Sequence, residues 1–221
     1  MLPGVPRPGG PTPRPRLGKV SSPGSISQVP PEFLAALSAV RRAHCRTEVR
    51  LEEIPAPARL APYALALSAD VFERVHRAGG PLRDEEELAT GRFVLLHDPA
   101  GSDLWDGTFR IVTYIRARMD AEMGNDALLG SVAWTWLVDA LDDHRAPRRE
   151  AGGTATRVLS ESFGTLNARQ DTIDIELRAS WTPEGTDIGA HLAAWVDMVA
   201  TFAGIPPLPA GVTALPHRRR S

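Results

Sequence analysis

The chain has 221 residues, 43% of them apolar and 24% charged, the composition of a globular protein long enough to bury a core as one domain or at most two. Its formal charge of −2 conceals a division: seven of the 25 basic residues lie in 1–29 and 205–221, where there is no acid, so residues 30–204 hold 18 basic groups against all 27 acids. A body of net charge −9 disfavours general binding of duplex nucleic acid, and no stretch approaches the roughly 20 apolar residues of a membrane span.

Residues 1–29 alternate Pro and Gly with Arg and Ser. Such a segment buries little surface and propagates no helix, so a disordered or polyproline tail is predicted. A single domain is expected over 30–204, followed by a flexible basic tail over 205–221. Cys45 is the only cysteine. No intrachain disulfide can form, which predicts a reduced, cytoplasmic setting, as does the absence of a secretory apolar region at the start.

Pro30-Pro31-Glu32 suits a first helical turn, and Phe33, Leu37, Val40 and His44 then share one face. Residues 47–54 alternate as a strand, with Val49 and Leu51 opposite Arg50 and Glu52, ended by Pro55 and Pro57. Leu60, Ala64, Leu67, Val71 and Val75 recur at helical spacing and predict a helix over 60–77, closed by Gly79-Gly80-Pro81. An acidic connector, Asp84 to Glu87, follows.

A strand–strand–helix unit then occurs twice, from Gly91 to Arg145 and from Gly152 to Ala203. In the first copy Phe93 to Leu96 is apolar on both faces, as in a doubly covered strand. Phe109 to Arg116 alternates, and Trp134, Leu137, Val138 and Leu141 stripe a helix. In the second, Thr154 to Glu161 pairs with Ile173 to Trp181, whose inward set is Ile173, Ile175, Leu177, Ala179 and Trp181. Thr186 or Asp187 caps a last helix with Ile188, Leu192, Trp195, Val199 and Phe202 facing inward. The fold class predicted is α+β: one largely antiparallel sheet of about five strands, covered by helices on one face. The other face, bearing Arg110, Arg116, Arg157, Asp174, Glu176 and Arg178, is expected to be wet or paired with a partner.

Several runs in order carry a family resemblance: Pro31-Glu32-Phe33, Val49 to Pro57, Leu60-Ala61-Pro62-Tyr63-Ala64, Gly91 to Pro99, Thr108-Phe109-Arg110, Glu161-Ser162-Phe163-Gly164 and Ala179 to Pro183. Over residues 30–204 the chain resembles a family of uncharacterised actinobacterial proteins, a domain of unknown function with no assigned activity, cofactor or catalytic residue. The resemblance implies an actinobacterial, cytosolic setting. In that family the gene often lies beside one for a ribonuclease-D-like exonuclease, which implies a link to RNA metabolism. With residues 60–77 set aside, the order of elements is also similar to that of dimeric secretion chaperones, which bind extended segments of other proteins.

No catalytic, cofactor or metal constellation emerges. Asp139, Asp142, Asp143 and His144 lack any established metal spacing and read as a solvated helix end. His97-Asp98 follows a strand but sits in ordinary turn chemistry with no nucleophile marked. Glu161 to Gly164 lacks a nucleophile elbow, Gly152-Gly153-Thr154 opens a strand where phosphate binding needs a helix N-terminus, and Cys45 reads as packing. Trp134, Trp181 and Trp195 are expected in the core, with Trp105 and Trp136 partly exposed as contact surface. The leading expectation is a non-enzymatic interaction protein, adaptor or chaperone-like and homodimeric, binding through its sheet face or Trp105 and Trp136. The second is an RNA accessory protein binding single strands or a ribonuclease, with Arg110, Tyr114, Arg116 and Arg157 as a basic–aromatic surface. An enzyme built around His97 and Asp98 ranks last.

Overall fold

The computed structural model describes residues 29–57, 59–73, 86–185 and 187–205. The predicted tails, apart from Val29 and Ile205, the Gly79–Pro81 stop and the Thr186 alternative cap lie outside these residues, and of the expected acidic connector Glu86 and Glu87 instead begin a strand. The elements are α1 (Pro31–Arg42), β1 (Arg50–Ile54), β2 (Tyr63–Glu73), β3 (Glu86–Ser102), β4 (Gly107–Met119), α2 (Ala121–Gly124), α3 (Leu129–Asp143), β5 (Arg148–Ser160), a 3-10 turn at Gly164–Leu166, β6 (Thr172–Pro183) and α4 (Ile188–Phe202). The strands form one antiparallel sheet in the order β1-β2-β3-β4-β6-β5. The α+β class therefore holds, with six strands in place of about five.

The extra strand is β2, in the segment where helical spacing predicts a helix. Leu67 and Val71, four residues apart, share a face under a period of 3.6 and equally under a period of two. Leu65 and Ala69 decide between them: Leu65, Leu67, Ala69 and Val71 are all buried while Ser68 and Asp70 are not, the alternation of a strand. Pairing with β3, from Tyr63↔His97 to Ala69↔Gly91, overrides the local preference of this Ala-rich run.

The two units lie side by side, with β4 paired to β6 and β3 and β5 flanking them. Because β4 and β5 are both antiparallel to β6, they run parallel, and α3 makes the crossover between them. This crossover brings α3 over β5 and β6, while α4, which follows β6, packs on β2, β3 and β4. Each unit's helix thus covers the other unit's hairpin, which locks the halves into one layer of helices on one layer of strands.

The core lies between these layers. Phe93, Leu95, Ile111, Ile115, Ile175, Leu177 and Trp181 meet Leu137 and Leu141 of α3, Phe33 of α1, and Ile188, Leu192, Trp195, Val199 and Phe202 of α4, all buried. Trp195 lies tilted on Phe93 at 5.6 Å between centroids and reaches over Gly91. A Cβ at Gly91 would stand 2.7 Å from the indole. Asp187 caps α4 through its carboxylate, which accepts from the Ala190 amide at 3.2 Å. Both long helices end in the same hydrogen-bond pair: Ala146 to Leu141 and Arg145 to Asp142 close α3, and Ile205 to Ala200 and Gly204 to Thr201 close α4.

Candidate functional site

The strand register sets out the uncovered face of the sheet row by row. One row is Arg92, Tyr114 and Arg178, on β3, β4 and β6. The next is Val94, Val112, Ser180 and Gly152, and beyond it stand Leu96 and Arg110. Thr90, Arg116 and Glu176 form the row on the other side. Arg92, Arg116, Arg178 and Val112 are exposed and Val94 and Tyr114 half-buried, while Ala66 and Leu96 at the β2–β3 corner are buried.

A hollow of about 650 Å³ lies on this face. Val94, Val112 and Ser180 form its floor, Gly152 leaves it open toward β5, and Arg92, Tyr114 and Arg178 stand along one side. An apolar floor with a few directed polar groups is the general character of a binding surface. Two guanidinium groups line the hollow and no carboxylate does.

The carboxylates of the face are already engaged nearby. Arg116 donates to Asp174 at 2.6 Å and Arg178 to Glu176 at 2.7 Å. The Arg178 guanidinium also lies over the Tyr114 ring, 5.3 Å from its centroid. Burial, and then a hydrogen bond to Glu176, push the Tyr114 phenol pKa up. Arg110 donates only to neutral oxygens: the Ser180 hydroxyl at 2.7 Å, the Thr182 hydroxyl at 3.1 Å and the Glu150 carbonyl at 3.0 Å. Burial lowers its pKa, opposed by the charge of Glu150. Arg92 makes no hydrogen bond or ion pair among the described residues.

Of the residues singled out in the sequence, Arg110, Tyr114 and Arg116 come together here. Arg157 does not. It pairs with Ile175, an inward position, and donates to the Asp126 carbonyl at 3.0 Å on the helix side. Trp105 sits half-buried in the β3–β4 turn, where its carbonyl accepts from Thr182. Trp134, expected in the core, is only half-buried, as is Trp136. The buried stripe of α3 is Leu129, Ala133, Leu137 and Leu141, and the two indoles fall one residue to either side of it, so both are half-buried. Trp136 packs edge-on against Phe202 at 5.6 Å. Arg92 and the Val94–Val112 floor were missed, because Leu96 and Val94 make β3 look covered on both faces. The signal was the alternation of Arg92 and Val94 with Phe93 and Leu95.

His97 is 2% exposed. It is stacked against Phe109 at 4.2 Å and Phe33 at 5.8 Å, with Nδ1 donating to the Thr108 carbonyl at 3.1 Å. Asp98 turns away to accept from the Ala100 amide at 3.0 Å. Asp142 pairs with Arg148 at 2.8 Å and His144 with Asp197 at 2.7 Å. No group of three or more His, Cys, Asp or Glu among the described residues is placed to hold a metal ion. A polar hollow of about 590 Å³ beside His144 is lined by Arg42, His44 and Asp187. Burial, then the Asp197 charge, raise the pKa of the nearby Cys45 thiol, which opposes nucleophilic use.

Fold and site together define an α+β protein whose sheet has one helix-covered face and one that no other described element covers. No helix among the described residues is long and apolar enough to cross a membrane. Residues 29–213 match the family described as "Protein of unknown function (DUF3000)", and the chain belongs to that family. No curated protein matches it, and neither does any solved structure.

Proposed function

We propose that this is a non-enzymatic, cytoplasmic interaction protein, adaptor or chaperone-like in action, that holds another protein against the uncovered face of its sheet. The observation that carries the reading is the hollow over Val94 and Val112 with Arg92, unpaired among the described residues, at its side. An apolar centre with Tyr and Arg at its margin is the composition that concentrates binding energy at protein interfaces. A photo-cross-linker placed at Val112, with Leu128 on the helix side as control, tests it in cells. Discrete protein adducts at Val112 and none at Leu128 are expected. Equal or absent adducts at both sites contradict the reading.

A second reading, single-stranded RNA, draws on Tyr114 between two arginines, a stacking platform with cationic flanks. Three features weigh against it: Arg178 already covers the Tyr114 ring, Arg157 lies on the other face, and Asp174 and Glu176 share the surface.

A further inference from the structure

We propose that the segment received by this face is acidic and extended, with two carboxylates four residues apart and an apolar side chain midway between them. The inference rests on the protein-binding reading above and adds the chemistry of the partner.

The argument starts from charge. Asp174 and Glu176 are neutralised by Arg116 and Arg178, and Asp70 accepts from the Thr90 hydroxyl at 2.7 Å. Among the described residues Arg92 makes no ion pair, and Arg110 donates only to neutral oxygens, with the Glu150 charge near it but not hydrogen-bonded to it. On a body that carries nine more acids than bases, two guanidinium groups without an ion pair among the described residues, beside an apolar floor, select an anion bearing hydrophobic groups.

Spacing then specifies the form. Along β3, Arg92 and Leu96 are four residues apart, and Leu96 pairs with Arg110. The two arginine rows are therefore separated by about 13 Å, at roughly 3.3 Å per residue. Val94 and Val112 lie midway between them. An extended chain repeats its side chains on one face every two residues. Its residues i and i+4 span the same distance, so a carboxylate at i falls on the Arg92 row and one at i+4 on the Arg110 row, whose guanidinium leans toward β6 on Ser180 and Thr182, while an apolar residue at i+2 rests on the two valines.

The test uses fluorescein-labelled peptides containing Glu-Thr-Val-Thr-Glu, measured by anisotropy against the full chain. Controls move one Glu to the adjacent position, replace Val by Ser, or replace both Glu by Lys; a ten-nucleotide uridine RNA is run in parallel. The parent peptide is expected to bind, more weakly at higher salt, and each control peptide to lose roughly tenfold or more. Arg92→Glu is expected to weaken the parent peptide by a similar factor without moving the unfolding midpoint, since Arg92 makes no hydrogen bond or ion pair among the described residues. No binding, binding indifferent to the position of Glu, or preference for the RNA overturns the inference. Adducts at Val112 despite such a result leave the protein-binding reading standing; loss of both removes both.

Discussion

The indole Nε1 of Trp181 donates to Nδ1 of His191 at 3.1 Å, joining β6 to α4 inside the core. Both side chains are fully buried. Because Nδ1 accepts, the imidazole proton is on Nε2 and the ring is neutral. Burial pushes the pKa of His191 down from 6.5 to about 4; Asp187 opposes the shift and Arg148 adds to it.

The burial of His191 makes stability depend on pH. The unfolded chain takes up the proton near pH 6.5 and the folded protein only near 4. The stabilisation is complete above the higher value and is lost as pH falls through the window between them. Between pH 7 and pH 5, His191 accounts for a loss of about 2 kcal/mol. Urea midpoints of the wild type and of His191→Gln at both pH values check this. The variant is expected to be less sensitive to pH by that amount, and parallel behaviour contradicts it.

Gly91 is required by the packing of Trp195. The Cβ of alanine would meet the indole at 2.7 Å and a Val199 methyl at 3.1 Å. Gly91→Ala is expected to destabilise by about 1–3 kcal/mol through overpacking. Chemical denaturation followed by tryptophan fluorescence measures the loss and reports any displacement of the ring.

Arg145 occupies the position in the α3 terminus that Gly204 occupies in α4, with φ of 51° and 77° respectively. Glycine adopts this left-handed conformation without steric cost and arginine does not. Arg145→Gly is expected to stabilise the protein by roughly 0.5–1 kcal/mol, read as a higher thermal midpoint.

Asp174 is 7% exposed and faces Arg116 at 2.6 Å. Arg116→Met removes the cation hydrogen-bonded to that carboxylate and is expected to cost about 1–3 kcal/mol. Combining it with Asp174→Leu should recover much of the loss, because the uncompensated charge is then gone. A double-mutant cycle in urea separates the two contributions.

Legibility in the sequence followed burial asymmetry. Ile173 to Trp181 alternates plainly because its strand has one covered and one uncovered face, and the stripe of α4 is plain because nearly all of it is buried. β2 was hidden by a spacing common to helices and strands. The parity of β5 was hidden too, since Ala151 to Thr156 contains no large apolar residue to fix which way Arg157 points. The site was half legible: Arg110, Tyr114 and Arg116 lie on one alternating strand, whereas their meeting with Arg92, Val94 and Ser180 is a product of register between three strands.

The central claim is that a partner covers the sheet face in the cell. Thiol labelling of Val112→Cys and Leu128→Cys, each in a Cys45→Ser background, tests it most directly when intact cells are compared with purified protein. Val112 and Leu128 are 37% and 63% exposed, so both cysteines should react in the purified chain. In cells the account predicts protection at position 112 and none at 128. Equal labelling at 112 in cells and in purified protein would contradict it.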